Sequence, residues 1–313
     1  MKIININSIY YPENLKKIDN PPLSLYVEGN IDLLKSKSIA IIGSRNASDN
    51  GKKIAQKFAS ELSEIGLTII SGLAVGIDTI AHSSSLNKKG KTIAVLGSGF
   101  NKIFPEENIN LYNQIIENDG LIISEYPPNI EAESNNFRTR NRIISGISLG
   151  VLVIEAKYRS GTSITANFAK KQGRPIFTIP HELGNPNGIG TNRLLKNGAT
   201  LVTDTIDILK NLKLKNYIKS YIKLESKNSN IINCTTINKE SEPTKAKPTV
   251  FKDAKYNDIY TFIQKNSIKS KIISINDIIQ YFKYPTNEVS STLFMLEIDG
   301  YIKKVSGGYI TCT

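Results

Sequence analysis

The sequence predicts an α/β protein built on a doubly wound, mostly parallel sheet and followed by a small helical domain. Seven short apolar runs recur from Ser38 onward, with amphipathic segments between them, at the spacing of strand, helix, strand units. The runs do not alternate with polar residues, as expected for strands covered by helices on both faces. They are residues 39–42, 67–70, 92–96, 121–123, 151–154, 176–179 and 200–202.

The remaining segments divide the 313 residues into four parts. Residues 1–37 carry turn-forming Pro and Gly pairs and predict a lead-in of short turns and helices. Residues 38–210 hold the seven strands and form the main domain. Residues 211–252 shift to Lys, Asn, Ser, Thr and Pro, which predicts a flexible linker with a short helix near 217–224. Residues 253–313 predict a compact second domain.

That second domain has the pattern of a winged helix. Three helices are predicted over 256–265, 275–282 and 285–298, and a hairpin over 301–310 turns at Gly307-Gly308. The third helix would present Asn287, Ser290, Ser291 and Glu297, and it has no arginine to read guanine edges. A transcription regulator stays an alternative for the chain, although protein contact or weak nonspecific DNA contact fits this module better.

The composition favours a polyanionic partner. There are 40 Lys+Arg against 28 Asp+Glu, a formal charge of +12. Cys234 and Cys312 have no disulfide or metal-ligand spacing, and with only two histidines we expect no metal and no cofactor. No signal core or membrane-length apolar run is present, so a soluble cytoplasmic protein is expected.

Small residues follow several of the predicted strands, at the edge where such sheets bind ligands. The loops are Gly43-Ser44-Arg45, the stretch Ser71-Gly72 to Gly76 and Asp78, Gly97-Ser98-Gly99, and Ser160-Gly161-Thr162. A phosphate could approach backbone N–H groups there, and the last turn opens a helix whose N-terminus favours anions. The loops match neither the P-loop nor the dinucleotide pattern. The alternative is that the glycines only make tight turns.

A basic segment, Phe137-Arg138-Thr139-Arg140-Asn141-Arg142, precedes the fifth strand. At helical spacing Arg138 and Arg142 share a face, whereas Arg140 points elsewhere. We expect some of these arginines, together with Arg45, to hold phosphates, and Phe137 to stack on a base. Salt bridges to Glu125, Glu131 or Glu133 are the alternative.

Acid and base chemistry has weak support. Asp78 and His82 stand four residues apart early in a helix, where a capping or structural role is expected. Ser44, Ser98 and Ser160 fit phosphate-binding hydroxyls or caps better than nucleophiles. The chain is therefore expected to bind a ligand and not to act as an enzyme.

Taken in order, these motifs resemble the DNA-processing protein A (DprA/Smf) family. The resemblance runs from Tyr26-Val27-Glu28-Gly29-Asn30 through Gly43-Ser44-Arg45, Ser71-Gly72-Leu73-Ala74, Gly97-Ser98-Gly99, Arg140-Asn141-Arg142 and Ser160-Gly161-Thr162 to residues 192–202. It implies a dimeric Rossmann-like protein that binds and protects single-stranded DNA and loads RecA recombinase onto it, with no established catalytic activity. The predicted DNA-binding set is Gly43, Ser44, Arg45, Ser71, Gly72, Gly76, Asp78, Gly97, Phe137, Arg140, Asn141, Arg142, Ser160, Gly161 and Thr162.

Three positions depart from the family pattern. Val75 stands where many relatives have a basic residue, Thr139 replaces a Pro-Arg-type lead, and His181 replaces a common Gly. Related Rossmann variants include phosphoribohydrolases, so a nucleotide-binding enzyme is a second alternative. Against it, Ala166-Asn167 stand where that chemistry would need an acid.

Overall fold

The structure is a computed structural model that describes residues 1–158, 160–234, 254–267, 273–298, 301–305 and 308–311. It divides into two compact units, Met1–Ile237 and Asn238–Thr313, which are described separately. Within the described residues, no helix has the length and apolar character needed to cross a membrane.

The first unit is organised around a nine-stranded sheet in the described part of the chain. Its strands are β1 (Lys2–Asn5), β2 (Ser24–Gly29), β3 (Ser38–Ile42), β4 (Thr68–Ser71), β5 (Thr92–Leu96), β6 (Leu121–Ser124), β7 (Val151–Val153), β8 (Ile176–Thr178) and β9 (Thr200–Leu201). The order across the sheet is β1-β2-β6-β5-β4-β3-β7-β8-β9. The strands from β3 to β9 pair in parallel, so the predicted doubly wound, mostly parallel sheet and its seven strands are confirmed.

Both faces of the sheet are buried, which explains the absence of polar alternation. In β3, Ala40 and Ile42 face one core cluster and Ile39 and Ile41 face another. Period-two geometry sends successive side chains to opposite faces, and each face here is covered by helices. Every residue of β3 is buried.

Nine α-helices in the described residues of the first unit surround this sheet. They are α1 (Glu13–Lys16), α2 (Asp49–Glu64), α3 (Ile77–Ser83), α4 (Ile109–Glu117), α5 (Ser134–Ile147), α6 (Gly161–Lys171), α7 (Ile189–Lys196), α8 (Thr205–Asn211) and α9 (Lys215–Cys234). Buried residues of α1, α5 and α6 pack on one face, and those of α2, α3, α4 and α8 pack on the other. The two 3-10 helices described are Ile31–Lys35 and Glu106–Asn108.

The lead-in differs from the prediction of turns and helices. It contributes β1 and β2, and β2 pairs antiparallel with β6 at the edge of the parallel strands. Leu25 and Val27 point into the core while their neighbours are partly exposed, an alternation typical of an edge-side strand. The segment is only six residues long between Pro21-Pro22 and Gly29, so turn residues dominated the sequence pattern.

The predicted linker starts in regular structure. Helix α9 covers its first part, and Tyr221 on that helix is buried against the core of the first unit. The rest of the predicted linker, residues 235–252, lies outside the described residues. The domain limits given above stay predictions.

The second unit contains α10 (Ala254–Ser267), α11 (Ile275–Phe282), α12 (Thr286–Ile298) and a hairpin of β10 (Ile302–Val305) and β11 (Gly308–Thr311). Ile263, Ile278, Leu293 and Ile302 are among the residues of its own core. Helix α11 begins with a capping box in which Ser274 and Asp277 satisfy each other's backbone N–H groups. The winged-helix assignment itself stays a prediction.

Candidate functional site

The candidate site lies where the strand order of the sheet reverses. The chain proceeds outward from β3 through β4, β5 and β6, and then returns to β7 on the other side of β3. Such a switch point opens a crevice beyond the carboxyl ends of the two central strands. Here the loop after β3 and the start of α6 meet, because the Thr162 hydroxyl donates a hydrogen bond of 3.0 Å to the Gly43 carbonyl.

The loops after β3 and β4 are packed backbone against backbone. The Ile77 N–H donates to the Ser44 carbonyl at 3.2 Å. Gly76 has a φ of 86°, and a Cβ atom there would lie 2.5 Å from the Arg45 carbonyl oxygen. Only glycine meets both conditions without strain. These contacts fix the base of the loop that carries Arg45.

Arg45 and Phe137 form the accessible part of the site. The Arg45 side chain is exposed, and its guanidinium carbon lies 5.8 Å from the centroid of the Phe137 ring. Phe137 also contacts Phe104, with ring centroids 5.5 Å apart. Gly97 makes room for Phe137, since a Cβ atom at Gly97 would lie 2.5 Å from its ring. An exposed cation therefore stands beside an aromatic pair in which Phe104 is exposed and Phe137 is half-buried.

Arg140 lies underneath this surface and is almost fully buried. Its Nη1 donates to the carbonyl oxygens of Gly72, at 2.9 Å, and Val95, and its Nε donates to Asn141 Oδ1 at 3.2 Å. A Cβ atom at Gly72 would lie 2.6 Å from the guanidinium. Arg140 therefore ties the ends of β4 and β5 together, a role that its position in the basic segment did not predict.

Asp78 and His82 make structural hydrogen bonds, the role expected from their spacing, and Asp78, which the predicted DNA-binding set also contains, is buried. Asp78 accepts a hydrogen bond of 3.0 Å from the Gly72 N–H. His82 accepts at Nε2 from the Leu73 N–H at 3.3 Å, and its Nδ1 lies 2.7 Å from the Thr92 hydroxyl. That hydroxyl donates to the Ile69 carbonyl, so the His82 ring is neutral with its proton on Nδ1. Neither side chain is free to act as an acid or base on a ligand.

Burial shifts the titration of these groups. It lowers the pKa of Arg140 to about 10, opposed by the attraction of Asp78 and reinforced by the nearby positive charge of Arg45. Burial also raises the pKa of Asp78, opposed by Arg140 and by the Gly72 N–H. The pKa of His82 falls to about 3, first because of burial and then because of Arg140. The site thus keeps its buried histidine neutral beside a cation.

Arg142 was predicted to bind DNA, and the structure places it in the alternative role. It is 4% exposed, and its guanidinium forms a two-pronged pair with Glu125 at 2.8 and 2.5 Å. Its Nε donates to the Asn20 carbonyl at 3.0 Å. Arg138, four residues earlier, is exposed. Helical spacing placed Arg138 and Arg142 on one side of α5. Arg142 lies one turn further along the helix, where residues of the lead-in cover it. We leave Arg142 out of the candidate site.

The N-terminus of α6 completes the crevice. Ser160 is its N-cap residue, and its hydroxyl is buried and has no hydrogen-bond partner among the described residues. Gly161 is exposed. A helix start of this kind can accept an anion, because its first N–H groups lack partners within the helix. Arg159, just before this turn, lies outside the described residues.

The predicted set therefore separates by access. Buried members are Ser44, Ser71, Gly72, Asp78, Gly97, Arg140, Arg142 and Thr162, and accessible or half-buried members are Gly43, Arg45, Gly76, Phe137, Asn141, Ser160 and Gly161. Sequence reasoning missed the contact of Phe104 with Phe137 and the buried hydrogen bonds of Glu155. Within the described residues, no group of three or more His, Cys, Asp or Glu side chains could hold a metal.

Of the family departures, His181 makes a side-chain contact, whereas Thr139 contributes only its backbone carbonyl. The Thr139 carbonyl accepts a hydrogen bond of 3.1 Å from Arg142. His181 Nε2 lies 2.8 Å from the Ile154 carbonyl, and its backbone N–H donates to the Asn192 side chain. Val75 is half-buried in the loop after β4.

Comparison with known proteins gives a consistent match. A model of the family described as DNA recombination-mediator protein A matches residues 2–213. The chain is 35% identical to Protein Smf of Escherichia coli over 318 residues, which cover 98% of this chain and 76% of that protein. It is 44% identical to DNA processing protein DprA of Streptococcus pneumoniae over 199 residues, which cover 64% of this chain and 70% of that protein.

Two solved structures share the fold. The X-ray structure of DNA processing protein A from Streptococcus pneumoniae matches with a TM-score of 0.63 and 41% identity, over 67% of this chain and 73% of that chain. A structure of DNA processing protein A from Helicobacter pylori matches with a TM-score of 0.62 and 32% identity, over 69% of this chain and 97% of that chain. The Helicobacter protein has a described mode of single-stranded DNA binding.

Proposed function

Since this chain belongs to the DNA recombination-mediator protein A family, we propose that it binds single-stranded DNA in the crevice beyond β3 and β7. The bound strand runs over the surface formed by Arg45, Phe104 and Phe137 and reaches the N-terminus of α6. This role is binding and delivery of DNA without a catalytic step. The single observation that carries it is the exposed Arg45 guanidinium beside the Phe137 ring.

The charge of Arg45 is available to a ligand. Within the described residues it forms no ion pair, whereas Arg142 is neutralised by Glu125. A guanidinium can hold a phosphate through two parallel hydrogen bonds. Arg45 stands on a loop whose backbone is fixed by Thr162 and Ile77, so the backbone needs little further ordering when a phosphate binds.

The aromatic pair is expected to give this chain a preference for single strands. Phe104 is 47% exposed and Phe137 is half-buried, so part of their ring surface faces solvent. Stacking of a base on such a ring contributes about 1–3 kcal/mol and tolerates any base. In a duplex the base faces are already stacked and paired, so this contribution is lost. Phosphate contact alone would not distinguish the two forms of DNA.

We further propose, from the family's description as a DNA recombination mediator, that a homodimer of this chain protects the bound strand and loads RecA recombinase onto it. A loading assay would test this step. RecA is added to an oligonucleotide covered with single-strand-binding protein, and the start of its DNA-dependent ATP hydrolysis is timed. The proposal expects this chain to shorten the delay. An unchanged delay at saturating protein would contradict loading and leave DNA binding intact.

Fluorescence anisotropy tests the binding itself. Labelled oligothymidine and a matched duplex are titrated with the purified chain at two salt concentrations. We expect tighter binding to the single strand and weaker binding at higher salt, because each phosphate contact on a single strand adds about 0.7 to the logarithmic salt slope. Equal affinity for both forms, or preference for the duplex, would contradict the proposed surface.

A further inference from the structure

A fully buried carboxylate lies just after β7, close to the candidate site. Glu155 has no exposed surface. Its Oε2 accepts hydrogen bonds from the Ser48 N–H at 3.1 Å and from Asn187 Nδ2 at 3.3 Å, and its Oε1 accepts from the Ser48 hydroxyl at 2.5 Å. Within the described residues it forms no ion pair. Burying a carboxylate without a cation costs free energy, so the groups that donate hydrogen bonds to Glu155 are important for keeping it in place.

Glu155 fixes the start of α2. Ser48 is the N-cap residue of that helix, and its hydroxyl accepts a hydrogen bond of 3.0 Å from the Gly51 N–H. A negative charge is favourable at a helix N-terminus. A Cβ atom at Gly51 would lie 2.5 Å from the Glu155 carboxyl group, so a larger residue there would displace that group.

Asn187 extends the same contact to the loop after β3. Its Nδ2 donates both to Glu155 Oε2 and, at 3.2 Å, to the Asn46 carbonyl. Asn187 is itself held by the segment that follows β7, because the Ala156 N–H donates to its carbonyl at 2.8 Å. Glu155 and Asn187 therefore form a clamp, which we define as these two residues, on Asn46 and Ser48.

Arg45 lies directly before the clamped part of this loop. On its other side, the Ser44 carbonyl accepts from the Ile77 N–H, and the Ser44 hydroxyl accepts from the Asn46 N–H at 3.1 Å. The backbone is thus fixed on both sides of Arg45, while its side chain is exposed. Glu155 is fully buried, so any influence on Arg45 would pass through this backbone.

We propose that Glu155, acting through Ser48 and Asn187, is a positioning residue for Arg45 in DNA binding. This inference rests on the proposed function. It makes a counterintuitive prediction, because Glu155→Gln removes a negative charge from a protein that binds a polyanion. Charge alone would strengthen binding. The amide of Gln cannot accept all three hydrogen bonds, so the clamp would be weakened. A weakened clamp would lower the affinity for DNA.

The test is a double-mutant cycle read by oligothymidine anisotropy at several salt concentrations. The variants are Glu155→Gln, Arg45→Ala and their combination. Glu155→Gln is expected to weaken binding roughly three- to tenfold in the wild-type background and to have almost no effect in the Arg45→Ala background. It is also expected to lower the salt slope toward that of Arg45→Ala, which a loss of stability alone would not do.

Glu61→Gln is the matched control. Glu61 lies on α2, accepts hydrogen bonds from the Thr205 and Tyr221 hydroxyls, and makes the same change of charge when replaced. It is expected to alter stability without weakening DNA binding. Asn187→Ala is a second probe, because it removes the link to Asn46 and leaves Glu155 and Ser48 paired. It is expected to weaken binding in the same direction as Glu155→Gln.

The outcomes separate the two claims. If Arg45→Ala weakens binding while folded Glu155→Gln and Asn187→Ala bind as tightly as wild type, the positioning role is wrong and the proposed function stands. Equal losses from Glu155→Gln with and without Arg45 would also overturn the role. If Arg45→Ala has no effect, the proposed surface fails and this inference fails with it.

Discussion

The two ends of β3 carry similar contacts in different surroundings. Lys37 precedes the strand and lies 5.8 Å from the centroid of the Tyr217 ring, and Arg45 follows it and lies 5.8 Å from the centroid of the Phe137 ring. Both cations are exposed. Beyond Arg45 lie the buried Arg140 and an open helix N-terminus, whereas Tyr217 belongs to the helix α9 that covers the sheet. A cation beside a ring therefore does not identify a binding site until its surroundings are known.

Glycines also need their surroundings before they can be assigned to a binding site. They occur at both ends of the strands, so their recurrence in the sequence does not mark the binding edge. At the carboxyl ends, Gly72 and Gly97 make room for Arg140 and Phe137. At the amino ends, Gly150 makes room for the core residue Phe177, with a distance of 2.7 Å from a Cβ atom to the ring. The difference lies in the side chain that each glycine admits.

The largest effect is expected from removing the buried cation under the carboxyl ends. Arg140→Met leaves the Gly72 and Val95 carbonyls without their donor and removes the positive charge near Asp78. We expect a loss of about 3–5 kcal/mol in the free energy of unfolding, measured by urea denaturation. Arg138→Met on the same helix is the control and should stay within about 0.5 kcal/mol, because Arg138 is exposed. Equal losses would show that Arg140 is not a structural residue.

The next largest effect is expected in the pH dependence of stability caused by His82. The folded-state pKa of His82 is about 3, below its ordinary 6.5, so the unfolded chain binds a proton there first. This group's contribution to stability is complete above about pH 6.5 and falls as the pH drops toward 3, by several kcal/mol over the whole range. When the pH is lowered from 6.5 to 4.5, the free energy of unfolding should therefore fall less in His82→Gln than in wild type. Urea denaturation midpoints at each pH measure this difference. Parallel curves for the two proteins would contradict a neutral buried histidine.

A smaller effect is expected from replacing Gly97 or Gly150 with alanine. Gly97→Ala and Gly150→Ala each place a methyl group against an aromatic ring, and each should lower stability by about 1–3 kcal/mol. Only Gly97→Ala should also weaken oligothymidine binding, roughly tenfold, because it displaces Phe137. The measurement is anisotropy under conditions where both variants are folded. Matching losses of affinity in the two variants would remove Phe137 from the proposed surface.

Sequence patterns predicted the regular part of this molecule well. Seven apolar runs predicted the parallel strands, because strands buried on both faces leave a continuous apolar signature. The alternation of Leu25 and Val27 was too short to predict β2. Spacing along α5 could not distinguish Arg142, paired with Glu125, from exposed Arg138, because the distinction depends on how the lead-in covers the helix. The clamp on Asn46 and Ser48 joins residues more than 100 positions apart, so no local pattern could reveal it.

The most direct test of the account sets the two ends of β3 against each other. Arg45→Ala and Lys37→Ala each remove one exposed cation beside a ring, and the affinity for oligothymidine is measured across a range of salt. The account predicts weaker binding and a salt slope lower by about 0.7 for Arg45→Ala alone, with Lys37→Ala close to wild type. Equal changes in both variants, or none in Arg45→Ala, would contradict a DNA-binding surface at the carboxyl ends of the strands.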